Sequence, residues 1–217
     1  MVKQMEKLHE PENQPLINTG DADTTSLPPV RKGNLVVITG PSGVGKGTLT
    51  QRMLTTIPHL VKSVSVTTRQ RRPQEIEGVD YFYRSQEEFD EMKPGLLEWA
   101  VFAGNSYGTP EHWVDEQLTL GKDVLLEIEV QGAHQIRLQR PQSLLIFLSP
   151  PSLCALRDRL EKRGTESPEA MERRLAKAKE ELTQKNLFHY EVINDDMDEA
   201  VHNLVHIVYA ERCRIRK

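Results

Sequence analysis

The chain of 217 residues carries 28 Lys and Arg against 32 Asp and Glu, a formal net charge of −4, and 37% of its residues are hydrophobic. That length can bury one full core without disulfides, and the charge speaks against a non-specific coat on nucleic acid, so any anion-binding site must be local. Two cysteines, Cys154 and Cys213, lie far apart with no CxxC spacing, which argues against structural zinc and fits a reducing compartment.

Residues 1–33 are polar, contain several prolines and show neither helical nor strand periodicity, so they read as a disordered tail. Met1 to His9 lacks the apolar stretch of a signal peptide, and Glu6, Glu10, Glu12, Asp21 and Asp23 are unlike a transit peptide. No apolar run approaches the length needed to span a bilayer. The expectation is a cytoplasmic protein.

From Leu35 the run LVVIT is continuously apolar and β-branched, as a strand covered on both faces would be. A glycine-rich turn follows. Leu49, Met53, Leu54 and Ile57 then recur at helical spacing until Pro58. Between 63 and 110, short extended pieces such as SVSVTT and VDYFYR lie among Gly, Pro and charges, which reads as an inserted subdomain. VLLEIEV at 124–130, SLLIFLS at 143–149 and EVIN at 191–194 predict buried strands. Ser152 is placed to cap a helix carrying Leu153, Leu156 and Leu160, and Ser167-Pro168 to start another with Met171, Leu175, Ala178 and Leu182. Alternation of this kind implies an α/β sandwich with a parallel-sheet core. No period repeats, which excludes a solenoid.

The turn after the first strand is Gly40-Pro41-Ser42-Gly43-Val44-Gly45-Lys46-Gly47-Thr48. Its glycines let backbone N–H groups turn inward around phosphate oxygens, and Lys46 can reach the terminal phosphates of a nucleotide. This is a P-loop in its required setting, between strand and helix. It departs from GxxxxGK[ST] at Gly47, where the usual hydroxyl ligand of Mg²⁺ is absent. Thr48 could contact phosphate, and Mg²⁺ could sit mainly on ATP oxygens and waters.

The loop ending GKGT resembles that of nucleoside monophosphate kinases. Across almost all of 34–210, SVSVTTRQRRPQEIEGVDYFY, LLEWAVFAGNSYGTP, the IEVQG segment, RLEKRGTES and VINDD, in that order, resemble the guanylate kinase family. The resemblance implies a P-loop NTPase core, a GMP-binding subdomain at 63–110, a mobile helical lid at 156–185 and a short C-terminal end at 211–217. It also implies phosphoryl transfer from ATP, with Mg²⁺, to GMP. ATP would be held by Gly40 to Thr48, Arg159 and Asn194. The GMP phosphate maps to Arg69, Arg72, Tyr81 and Tyr107, which suits a dianion needing cationic forks and phenolic donors; Arg71 reads as part of a solvated basic turn. Guanine, with two donors beside the acceptor O6, maps to Glu98, Thr109, Ser65 and Glu129. Adenine would leave Glu98 unpaired.

In VLLEIEV the strand period puts Glu127 and Glu129 on one face near the strand's carboxyl end. By resemblance Glu127 holds a water of the Mg²⁺ shell, although many family members have Asp at both places. Phosphoryl transfer depends on converging cations, and Lys46, Arg69, Arg72, Arg163 and Arg174 match those roles, the last two from the lid. Some alternatives stay open. Glu98 could be an exposed acid beside Trp99, Glu127 and Glu129 could be solvent-facing edge acids, and Asn194 could cap the last helix. A protein-interaction module of the same fold and a kinase for another acceptor are the rival functions. Oligomeric state is not legible.

Overall fold

The computed structural model describes residues 31–162 and 168–215; the expected tail before 31, Arg163 and the start of the helix at Ser167 lie outside the described residues. The core is a five-stranded parallel sheet in the order β2-β7-β1-β8-β9. Its strands are β1 (Leu35–Thr39), β2 (Leu60–Lys62), β7 (Asp123–Glu127), β8 (Leu144–Ser149) and β9 (Tyr190–Ile193). β1 lies at the centre with all five residues buried, paired to β7 from Leu35 opposite Val124 and to β8 from Val36 opposite Leu144.

The period of two in β1 divides the core. Val36 and Ile38 pack with Leu49 and Met53 of α1 (Lys46–Thr56) and with Leu204 and Val208 of α7 (Met197–Arg212). Leu35 and Val37 pack on the other face with Val114 and Leu118 of α3 (Glu111–Thr119) and Ala133 and Ile136 of α4 (Val130–Gln139). The result is the expected α/β sandwich with a parallel-sheet core, its helices on both faces.

One predicted boundary moves. The strand ends at Glu127, and α4 begins at Val130 with Glu129 at its N-cap. Val130, Ala133 and Ile136 are buried at helical spacing, so helical packing claims residues whose β-branched character reads as strand.

A second, mixed sheet in the order β4-β3-β6-β5 is built from β3 (Ser65–Thr67), β4 (Tyr81–Tyr83), β5 (Leu96–Phe102) and β6 (Asn105–Pro110). α2 (Gln86–Met92) is fixed by a capping box between Ser85 and Glu88 and packs Phe89 on Val66 and Leu96. The last pair, α5 (Leu153–Lys162) and α6 (Pro168–Thr183), shares a small cluster of Leu156, Leu160, Leu175 and Ala178. Ser152 Oγ accepts from Ala155 N at 3.1 Å, as the sequence predicts for the start of α5. No helix among the described residues is long and apolar enough to cross a membrane.

Candidate functional site

The glycine-rich loop leaves the carboxyl end of β1, where open α/β sheets bind ligands. α1 starts at Lys46 with no side-chain cap and no acidic residue in its first turn. Its first N–H groups and its dipole therefore favour an anion seated in the loop. Lys46 Nζ donates to Gly40 O at 2.5 Å and Pro41 O at 3.3 Å, which holds the ammonium across the loop mouth. Gly45 has a φ of 100°, and a Cβ there would lie 2.6 Å from Asn194 Nδ2, so only glycine fits.

Asn194 is buried, and its Nδ2 donates to Val44 O at 2.7 Å. The last helix is capped instead by Asp196, whose Oδ1 accepts from Glu199 N at 2.9 Å. Asn194 thus supports the loop from behind rather than starting α7. Two predicted lid arginines also reach this region. Arg159 Nη2 donates to Asn194 O at 2.8 Å, and Arg174 Nη1 donates to Ser42 Oγ at 3.1 Å.

Beside the loop lies a cavity of about 210 Å³ lined by Ser65, Arg69, Arg72, Tyr81, Glu98, Tyr107, Glu127 and Glu129, together with Glu75, Ala100, Phe102 and Ile128. Glu98 faces inward because β5 shifts register between Leu96 and Glu98, a bulge that re-aims the side chain. It is only 4% exposed, which rules out the exposed-acid alternative. Its cross-strand partner Thr109 donates from Oγ1 to Glu98 Oε1 at 2.6 Å. The other oxygen lies against α4 at Gly132, where a Cβ would come within 2.1 Å of Oε2. Burial pushes the Glu98 carboxyl up to about 7, against the opposing hydrogen bond from Thr109.

Glu75 is the member of this cavity that sequence reasoning misses. Its Oε1 accepts from Arg69 Nη2 at 2.7 Å, and its Oε2 accepts from Arg72 N at 2.9 Å and from the Tyr83 hydroxyl at 2.7 Å. The Arg69 hydrogen bond leads in holding the carboxyl down at about 2, and Glu75 in turn raises Arg69. In sequence it is one more charge in a charged turn; its distance of six residues from Arg69 becomes a signal only once the turn is closed. Arg69 also stands 5.4 Å over the Tyr81 ring, and Tyr81 meets Tyr107 edge-on at 6.0 Å. Burial first, then Glu127 and Tyr107, pushes the Tyr81 phenol up to about 12, which keeps it a hydrogen-bond donor. Arg71 is exposed and donates to the Glu75 carbonyl at 3.2 Å, as a turn residue would.

Glu127 ends β7, an interior strand of its sheet, so it is not an edge acid. Its Oε2 accepts from Lys62 Nζ at 2.8 Å, and its Oε1 would lie 3.6 Å from a Cβ placed on Gly47. The absent side chain at Gly47 leaves a carboxylate beside the loop where a hydroxyl usually stands. Such an oxygen donor suits a hard divalent cation that keeps its waters.

The cavity offers cations and phenols for a phosphate and a buried carboxylate for paired N–H donors, next to a loop built for a second phosphate chain. The chain is also similar to known proteins over most of its length. The family model described as guanylate kinase matches residues 32–211. The chain is 48% identical over 187 residues to a guanylate kinase of Desulfitobacterium hafniense, covering 85% of this chain and 94% of that protein. It is 50% identical over 191 residues to one from a Synechocystis species, covering 87% and 98%. The crystal structure of guanylate kinase from Anaplasma phagocytophilum matches with a TM-score of 0.71 at 30% identity, over 85% of this chain and 88% of that one.

Proposed function

We infer from the chain's membership of the guanylate kinase family that it transfers the γ-phosphoryl group of ATP to GMP, giving ADP and GDP. The observation that carries the reading is that one cavity beside the P-loop is lined both by Arg69, Arg72, Tyr81 and Tyr107 and by the buried carboxylate of Glu98. A nucleoside monophosphate with two N–H donors on its base matches both.

In this reading the loop from Gly40 to Thr48 seats the ATP phosphates, Arg159 and Asn194 lie on the adenosine side, and Arg69 and Arg72 hold the acceptor phosphate while Tyr81 and Tyr107 complete its shell. Glu98 accepts from guanine N1–H and the 2-amine, with Thr109, Ser65 and Glu129 near the base. Lys46 and Arg174 supply positive charge to the transferring group, whose transition state asks for positioning and electrostatics more than covalent help. Glu127, through water, is the residue that would hold Mg²⁺, which would supply charge neutralisation on the phosphates, while Thr48 would contact a phosphate oxygen. A protein-interaction module of the same fold needs none of this, and the retained Lys46, Arg69 and Arg174 favour catalysis.

The test is ADP release with Mg·ATP and GMP, AMP, UMP or CMP in turn, on wild type and Lys46→Ala, both shown folded by circular dichroism. Turnover with GMP that drops at least about a hundredfold in the variant is expected. No turnover with any acceptor in folded protein points to the interaction module, and turnover with a different acceptor overturns the guanine reading of Glu98.

A further inference from the structure

α6 presents two cations to two different surfaces. Arg174 and Lys177 are three residues apart and so lie on one face of the helix. Arg174 reaches the donor loop at Ser42 Oγ, 3.1 Å away. Lys177 reaches the acceptor cavity instead: its Nζ stands 4.1 Å from the centre of the Phe102 ring and 3.7 Å from Glu129 Oε2, both lining residues. One turn further along the same face, Glu181 lies 3.6 Å from Lys177 Nζ and is 6% exposed. The ammonium therefore sits between two carboxylates and over an aromatic face, an arrangement that joins the helix pair to the acceptor wall.

Two carboxylates converging without a cation would repel each other, and burial of Glu181 makes that repulsion costly. The Glu181 carboxyl is raised by burial and by Glu129 and brought back by Lys177 and Lys46, so the charge of this helix answers to both the acceptor wall and the P-loop lysine. A rigid helix that touches both sites through neighbouring side chains can carry the state of one to the other.

We propose that Lys177 is a positioning residue that ties α6 to the acceptor cavity through Phe102, Glu129 and Glu181, so that an acceptor seated in the cavity favours the placement of Arg174 over the donor loop. The proposal rests on the kinase reading above. Lys177 touches neither set of reacting atoms. Its role is coupling, in which GMP tightens the binding of ATP and ATP that of GMP by the same factor. Phe102 contributes the face that holds the ammonium at its station, a cation–π contact that arginine can also make.

The experiment measures the affinity of a non-hydrolysable ATP analogue by calorimetry, with and without saturating GMP, in wild type, Lys177→Met, Lys177→Arg, Phe102→Leu and the Lys177→Met/Phe102→Leu double variant. Lys177 is 47% exposed at its side chain, so these proteins are expected to fold. In wild type, GMP should tighten the analogue about fivefold or more. Lys177→Met should bring that factor close to one while leaving the affinity for GMP alone within about twofold. Lys177→Arg should recover at least half of the factor on a logarithmic scale. The double variant should lose no more than the lysine change alone, because the two side chains act through one contact. An unchanged factor in Lys177→Met overturns the proposal, as does an equal loss of GMP affinity in the absence of nucleotide, which would make Lys177 a direct ligand. If wild type fails to phosphorylate GMP at all, the functional reading falls and takes the coupling with it. If wild type is active and Lys177→Met behaves identically, only the coupling falls.

Discussion

Glu98 accepts from Thr109 with one oxygen and presses the other against Gly132, so its carboxyl has little water to stabilise a charge. Guanine needs that charge, since an ionised carboxylate accepts from both N1–H and the amine whereas a protonated one offers a donor to a donor. The folded carboxyl titrates near 7 and its ordinary value is 4.5. Between these values the folded protein holds a proton that the unfolded chain has released, so stability falls as pH rises through the window. The full cost, on the order of 3 kcal/mol, is present above about pH 7 and absent below about pH 4. Glu98→Gln should therefore unfold at higher urea than wild type at pH 8 and at a similar concentration at pH 4. The same variant should lose about a hundredfold in kcat/KM for GMP, because a polar site built for the guanine edge is left mismatched. In wild type, KM for GMP should climb as pH falls below about 7. The nucleotide's own phosphate titrates near 6 and adds an acid limb in both proteins, so the part that vanishes in Glu98→Gln is the part owed to the carboxyl.

Among the elements, the contact between the P-loop and the residue after β9 has the clearest consequence. Asn194 Nδ2 is the hydrogen-bond donor to the Val44 carbonyl, inside a loop whose shape sets where phosphate-facing N–H groups point. Asn194→Ala leaves that buried carbonyl without its partner, a loss of about 1–3 kcal/mol. The melting temperature should drop by several degrees. KM for ATP should rise several-fold with KM for GMP little changed, since the bonds of Asn194 run to the P-loop at Val44 and to Arg159 of α5; a change confined to GMP would show that the support acts elsewhere. This contact also marks where sequence stops being informative. β1, the glycine loop and α1 were readable because local pattern and chemistry coincide there: a buried β-branched run, then glycines, then helical spacing ending at Pro58. The break in βαβ rhythm after Ser63 coincides with the second sheet for the same reason. VLLEIEV reads as strand through Val130 whereas β7 ends at Glu127, because a short apolar run has no period that separates strand from buried helix. Asn194, Glu75 and Lys177 gain their contacts from partners 150, 6 and 48 residues away (Val44, Arg69 and Glu129), and only the second of these is close enough for the sequence to hint at it.

At the scale of the whole described core, residues near its first and last positions meet at one buried carboxylate, at the opposite end of β7 from the candidate site. Asp123 opens β7 with its side chain fully buried, and Arg31 at the start of the described chain and Arg212 at the end of α7 both pair with it. Arg212 Nε donates to Oδ2 at 2.7 Å, and the backbone N–H of Asn34 donates to Oδ1 at 2.7 Å. Arg212 also donates from Nη2 to the Pro58 carbonyl at 2.6 Å, which ties the turn after α1 into the same cluster. β7 itself carries Glu127 at its other end, so the strand runs from this cluster to the candidate site. A buried charge is tolerated only while its partners satisfy it, and Asp123 is also the acceptor for the backbone N–H of buried Asn34. Asp123→Ala leaves that N–H without its acceptor and both partly exposed arginines without their carboxylate, and should therefore cost about 1–3 kcal/mol of folding stability. At low temperature, where the variant remains folded, the same change should leave KM for ATP and GMP near wild type, because no residue of the cavity or the loop takes part in the cluster. Denaturant unfolding followed beside steady-state kinetics at 10 °C separates the two effects. A large loss of kcat in fully folded Asp123→Ala would mean that strain at the base of β7 is transmitted to Glu127, and would make this cluster part of the site rather than its anchor.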